Sequence, residues 1–527
     1  MNVYFIGMLI SMVFYIVISI VISRKVKDAN DFYVAGRQAP TILITGSMVA
    51  SFLSTGIFMG EAGESYSGIF SAMLVMSTIQ TIGYSLGGTF FGRYLRRSEV
   101  VTIPEYFGKR FCSSRLRILA TVTSLITLVV YLLSIMQGVG TLMSLVTGVD
   151  YNLCVFLALI TFSLVTMTSG SKGVLITDTI MFGVFTAATV FSIITITAKG
   201  GGWFGIVASL AEAKPALLSW EGDLSYFYPT GWENILWGIL YGIVWASVCM
   251  AGPWQISRYL MAKNEHVVIR SSVWSALCIF FLAFLISISA VFVNVFEPEL
   301  ESASHVLIWA AKNVLPTFLG VVMLTGVLAA GISSATTFLS LISASVANDI
   351  VQIADDRQKM TVGRIAIIAT STLVMALAYY NPPAIFWVLY LGATLIACSW
   401  FPVCIASVWS KRVTGAGAFW GMLVGFVSCG AAKLYAAVTG VVAPLYLDSF
   451  VVGFVCNVVT MVVVSSFTAV SGEEKAEREK LFVIPDKEKD IKEIRKTKRT
   501  MCLAALSGVL VTLILLVLWA IPYRMNR

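Results

Sequence analysis

The sequence predicts an all-α integral membrane protein of about fourteen transmembrane helices, with a five-plus-five inverted repeat carried by helices 2–11. Three observations predict it. Of 527 residues, 58% are hydrophobic and 12% charged, where soluble domains carry about 25% charged residues; the mean hydropathy is +0.87. The basic residues cluster in alternate loops between apolar runs. Two apolar runs, one heading each set of five, are interrupted, which is the sequence mark of an inverted-repeat transporter.

The first run, 3–22, is long enough to span and has no basic segment ahead of it, so it reads as a helix and not as a signal peptide. It forms a unit 1–40 with the inside loop that follows. Runs 41–60, 70–92, 118–147, 153–168 and 174–198 make a first repeat, 41–232. An amphipathic extracellular cap closes it, with Trp203, Phe204, Trp220, Tyr226, Phe227 and Tyr228 suited to the membrane interface. Runs 233–256, 273–295, 318–346, 365–380 and 384–408 make the second repeat, 233–414. Peripheral runs 415–436, 449–470 and 501–522 complete the chain (415–527). The charged stretch 471–500 reads as a solvated linker without a function of its own, tethering a separable last span. With the amino terminus outside, the inside loops 23–40, 93–117, 169–173, 257–272, 347–364, 409–414 and 471–500 hold 30 of the 36 Lys and Arg. This bias sets both termini outside a plasma membrane. The net charge of +8 is therefore a topology signal, with a secondary attraction for anionic lipid, and does not indicate nucleic acid.

Enzyme chemistry finds no footing. Nine cysteines lie singly, without metal-ligand spacing, and His266 and His305 fall in loops on opposite sides. No nucleophile–base pair and no cofactor motif appears; nor does any feature call for an obligate protein partner.

The polar chemistry sits inside apolar runs. Between Thr45 and Gly68 the chain crowds Ser51, Ser54, Thr55 and Gly56 into the centre of a span. Main chain broken there leaves carbonyls that hydrocarbon cannot satisfy, so it must face protein or a cavity. Carbonyls beside hydroxyls suit a hard cation. In the second half the interruption is expected at Gly238, Gly242 and Gly252-Pro253. The ninth span offers Ser333, Ser334, Thr336 and Thr337 within five residues, largely on one helix face. Seen alone, such hydroxyls bond back to their own helix or join helices together; facing a broken helix, they make a cage of neutral oxygens. Asp178 is either an N-cap at the start of the sixth span or a functional intramembrane carboxylate. Gln80 and Gln137 are buried amides that serve a solute pocket or helix packing equally well. Glu61 and Glu64 read as solvated carboxylates at the outer end of the break.

Five segments resemble the sodium:solute symporter family: Asp31-Phe-Tyr-Val-Ala-Gly-Arg37, Thr102-Ile-Pro-Glu-Tyr-Phe-Gly-Lys-Arg-Phe111, Ser171-Lys-Gly-Val-Leu-Ile-Thr-Asp178, Trp254-Gln-Ile-Ser-Arg-Tyr-Leu-Met-Ala262 and Ala330-Gly-Ile-Ser-Ser334. They run in the family's order over roughly residues 30–420. The resemblance implies a leucine-transporter-type fold. It also implies a sodium site from the carbonyls of Ala50, Leu53 and Ala330 with the hydroxyls of Ser333 and Ser334. A second sodium set, present in some relatives, maps to Asp178, Ser333, Thr336 and Thr337. Sugar-carrying relatives have a polar pair at the first break, where this chain has Ser54-Thr-Gly. Trp245, Gly252-Pro253 and Arg258 are more similar to the proline-carrying branch.

The function expected is sodium-coupled uptake of a small organic solute by alternating access, an amino acid or small carboxylate being favoured. Sodium is the coupling ion, and no cofactor is called for. Ser54, Thr55, Gly56, Gln80, Gln137 and Trp245 are the expected solute-lining residues. The alternatives are a sodium-coupled sugar symporter, a proton-coupled transporter with Asp178 as proton carrier, and a membrane sensor without transport.

Overall fold

A computed structural model describes residues 3–24, 26–226, 229–353, 355–380, 385–441 and 443–526; Phe227 and Tyr228 of the expected cap, and residue 384 of the eleventh span, lie outside them. Among the described residues there are thirteen helices long and apolar enough to cross a membrane, plus the shorter Thr41–Phe52. In chain order they are α1 (Val3–Ser23), α2 (Thr41–Phe52), α3 (56–69), α4 (70–97), α5 (Ser114–Thr147), α6 (Tyr151–Thr168), α7 (Gly170–Lys199), α8 (Gly231–Ala251), α9 (Pro253–Met261), α10 (Glu265–Val293), α11 (Thr317–Ile350), α12 (Asp356–Tyr380), α13 (Ile385–Trp409), α14 (Gly415–Thr439), α15 (Ser449–Ser466), the short α16 (Gly472–Lys480), and α17 (Ile491–Ala520). Taking α2 with α3, and α8 with α9, as single broken spans gives the fourteen that composition predicts.

The helices begin where the sequence supplies caps. Ser113, Thr230, Asn264 and Thr414 accept backbone N–H groups at the starts of α5, α8, α10 and α14. Close packing is set by small residues: a Cβ at Gly83 would lie 2.3 Å from the Ala246 carbonyl, and one at Gly242 would lie 2.7 Å from Ile79. Gly238 likewise backs onto the Ala72 carbonyl. Gly238 and Gly242 are thus packing residues inside continuous helix, and the second interruption lies at Gly252 alone. There ψ swings to 128°, as a residue before proline prefers, and Pro253 opens α9.

Four further expectations are corrected. The inside loop 169–173 is a kink at one residue: Gly170, at φ 54° and ψ −157°, separates α6 from α7. The eighth span begins at Glu265, earlier than 273, because Asn264 caps it there. The stretch 471–500 is not a free spacer. Its Ser471–Glu474 capping box opens α16; Glu474 also accepts the Gly415 N–H at 2.7 Å, and Arg110 and Arg97 donate to the carbonyls of Glu474 and Leu481. Nor is the last span separable: α17 packs on α10, the Trp203 indole donates to the Leu518 carbonyl at 2.6 Å, and Trp519 meets Phe70 edge-on.

Candidate functional site

The inner half-helix α2 stops at Leu53, where ψ reaches 80°. The amides that would close onto Ala50 and Leu53 turn elsewhere: Ser54 N–H donates to Phe52 and Ile57 N–H to Ser54. Both carbonyls are thereby released from the i+4 ladder, deep in the bundle. The Ser54 hydroxyl takes the Gly56 N–H at 3.1 Å, which props the break open. Gly56 has no room for a side chain, since its Cβ would meet Leu389 at 2.2 Å.

Helix α11 faces this break. Ser334 donates to the Ser51 carbonyl and to Ala330, each at 3.1 Å, and thus joins the two elements directly. Ser333 donates to Asp178 Oδ1 at 2.6 Å. A hydroxyl that donates a hydrogen bond keeps its oxygen lone pairs, so both serines still offer an acceptor oxygen. Thr336 bonds back to the Ser333 carbonyl at 3.0 Å within its own helix and is not turned toward Asp178.

Asp178 lies well inside α7 and is fully buried. It is therefore an intramembrane carboxylate and not an N-cap. Ser47 donates to its Oδ2 at 2.5 Å, and the Arg258 guanidinium lies 3.3 Å from the same oxygen. Arg258, on α9, is itself 2% exposed; it also donates to Ser47, to the Trp254 carbonyl and to Thr337. The second broken helix thus delivers a guanidinium into the acidic set where a mobile ion was expected. Its location in this cluster was invisible in the sequence, because the partners are 80 and 211 residues away.

Of the expected solute-lining residues, Ser54, Thr55 and Gly56 form the break itself, Trp245 packs on Phe52 beside it, and Gln80 and Gln137 lie buried in α4 and α5. Trp245 and Tyr84 both meet Phe52 edge-on, at 5.7 and 5.8 Å between ring centres, and Tyr131 stands 6.4 Å from Trp245. Gln80 lies one turn from Tyr84; both atoms of its amide, the Trp245 indole N–H and the Thr55 hydroxyl are buried without a hydrogen-bond partner among the described residues. Gln137 is equally buried. Unpartnered polar atoms in an apolar core are costly, and a polar ligand or a water would relieve them. Phe52, Tyr84 and Tyr131 escaped sequence reasoning, since aromatic residues in apolar spans are too common to single out.

Glu61 is not solvated. It is 2% exposed on the outer half-helix, and its Oε2 has no hydrogen-bond partner among the described residues. Glu64 is half-buried and accepts from the Tyr226 hydroxyl at 3.0 Å. It lines a cavity of about 430 Å³ with Gly60, Thr141, His305 and Phe386. On the opposite, basic face a narrow crevice of about 20 Å³ lies between Ser171, Ser257 and Ser340.

Half-helices meeting hydroxyls, an ion pair and a ring of aromatics at mid-bundle define a secondary transporter of the broken-helix type. The model of the sodium:solute symporter family matches residues 32–425, and the chain belongs to that family. It is 23% identical to the sodium/pantothenate symporter of Escherichia coli, over 76% of this chain and 83% of that one. It is 21% identical to the sodium/proline symporter of Escherichia coli, over 78% and 84%, and 25% identical to sodium/glucose cotransporter 1 of Oryctolagus cuniculus, over 83% and 74%. Its fold is that of a sodium-coupled sialic acid symporter solved in a substrate-bound outward-open state, with a TM-score of 0.75 and 18% identity over 89% of this chain and 99% of that one. The fold of Mhp1, a nucleobase-cation-symport-1 family transporter, matches at a TM-score of 0.54 and 13% identity, over 85% and 98%. The protein is a multi-pass membrane symporter, not an enzyme, and sodium is its coupling ion.

Proposed function

We propose that the chain takes up a compact amino acid or a similar ammonium-bearing solute, together with one sodium ion per cycle held by the carbonyls of Ala50, Leu53 and Ala330 and the hydroxyls of Ser333 and Ser334. The observation that carries this reading is the pair of carbonyls released at the break, with Ser334 bonded across to the same strip of main chain. An alkali ion at that point ties α2 to α11 without burying a net negative charge.

A single sodium is favoured because the acidic set has a cation of its own. Arg258 compensates Asp178 and engages Thr337, so a second sodium would have to displace a tethered guanidinium. The same cluster argues against Asp178 as a proton carrier, since Ser333 holds one of its oxygens and Ser47 and Arg258 the other. Glu61 bears on the charge of the solute. A buried carboxyl whose Oε2 has no partner among the described residues suits a positive centre brought by the solute. That favours an amino acid over a plain carboxylate. A sugar is disfavoured by Ser54-Thr-Gly at the break, and a sensor by the open outer cavity.

Sodium and solute bind as linked ligands, each raising the other's affinity by the same factor. The distribution of basic loops supports an orientation with both termini outside. A thermal-shift screen of the purified protein against amino acids, small carboxylates, sugars and choline-like cations, with sodium or potassium, tests the reading. An ammonium-bearing compound that stabilises only in sodium is the expected hit; a sugar or a carboxylate without an amine as the sole hit would overturn it.

A further inference from the structure

A groove of about 400 Å³ lies between α2, α7, α10 and α17, on the face that carries the basic loops. Its walls are apolar: Ile42, Phe182, Trp274 and Cys278. Ile42 and Trp274 are also exposed on the outer surface of the bundle, so the groove communicates with the place where acyl chains lie. Its mouth is basic and polar, with Arg270, Lys496, Thr45 and Thr500.

The polar groups are not all satisfied. Arg270 is 4% exposed; one arm of its guanidinium pairs with Glu493 at 2.7 Å and another reaches the Thr497 hydroxyl at 3.5 Å, while its Nε has no partner among the described residues. The Thr45 hydroxyl, also buried, has none either. Lys496 is exposed and pairs with no carboxylate among the described residues. It belongs to a run of five cations, Lys492, Arg495, Lys496, Lys498 and Arg499, in which Glu493 is the one acid. A juxtamembrane cluster of that kind attracts anionic headgroups, and an apolar groove beneath it distinguishes one docked molecule from a diffuse cloud.

We propose that this groove binds an anionic phospholipid. Its phosphate sits at the mouth, with Lys496 supplying the charge and Arg270 Nε and the Thr45 hydroxyl donating hydrogen bonds, and one acyl chain lies along Phe182, Trp274 and Cys278. The lipid would then bridge α17 to the inner half-helix α2, whose far end carries the carbonyls of the break.

The test uses the full chain in nanodiscs of phosphatidylglycerol, phosphatidylcholine or a mixture, with retained lipid counted by native mass spectrometry. Phosphatidylglycerol should be retained in preference to phosphatidylcholine. Lys496→Gln should weaken that retention roughly fivefold, the effect of one cation near a charged headgroup. Cys278→Trp fills the groove and leaves every charge in place, so it should abolish retention while the diffuse attraction of the basic run persists. Inorganic phosphate should not displace the lipid. Equal retention of the two lipids, unchanged retention in both variants, or displacement by inorganic phosphate would each overturn the assignment.

Discussion

Arg258 and Asp178 neutralise one another at the centre of the bundle, and each becomes a liability without the other. Removing one partner of a buried pair costs about 3–5 kcal/mol, because a charge is left uncompensated. Arg258→Gln or Asp178→Asn alone should therefore lower the thermal midpoint strongly, whereas the double variant should recover much of the loss; a double variant as unstable as the sum of the singles would contradict the pairing. Ser333 and Ser334 predict a different signature. Ser333→Ala with Ser334→Ala should raise the sodium concentration for half-maximal uptake by about tenfold or more, the loss of two ligating oxygens at roughly 1 kcal/mol each, alongside a lower thermal midpoint, because Asp178 and the Ser51 carbonyl lose their donors. Unaltered sodium dependence in uptake assays would remove these serines from the ion's shell. Glu61→Gln should weaken binding of ammonium-bearing solutes and leave the response to sodium alone in place, as thermal shift can report.

At the scale of elements, glycines set how closely helices approach. Gly83→Val would drive a side chain into the Ala246 carbonyl, 2.3 Å from an added Cβ. It should destabilise the protein by about 1–3 kcal/mol, read as a lower midpoint in detergent. Most elements were legible in the sequence, because apolar runs of spanning length have few other uses. The first break was legible too, from hydroxyls crowded against Gly56. Gly238 and Gly242 were misleading, since glycine marks close packing as readily as a break; the proline after Gly252 was the better sign. The hydroxyls of α11 were legible as a cluster, but their division of labour was not. Ser334 reaches across to α2, Ser333 turns to Asp178, and Thr336 bonds its own helix, and only the packing of α7 and α9 decides which does which.

Across the whole molecule, the segment after α15 straps the basic face together. At one end α16 is tied to Gly415 and Arg110. At the other, the Glu488 carbonyl meets the His266 ring at 2.9 Å, and Glu493 pairs with Arg270. Burial, and after it the neighbouring Glu265 carboxylate, push the Glu488 carboxyl above its ordinary value of 4.5. A raised carboxyl favours the folded state while protonated, so its contribution is complete below that ordinary value and is lost as pH rises through the elevated one. Docking of residues 481–497 should therefore loosen with rising pH in this window, and Glu488→Gln should flatten the dependence. Hydrogen exchange across that segment measures both.

Leu481 and Glu488, the inner anchors of the strap, are seven residues apart in sequence, and irregular chain of that length reaches about 25 Å at most when drawn taut. The Leu481 carbonyl is held by Arg97 on α4 and the Glu488 carbonyl by His266 on α10. Arg97 also pairs directly with Glu265 on α10, so the strap spans a clasp that is already closed, and it would come taut only after that ion pair had let go.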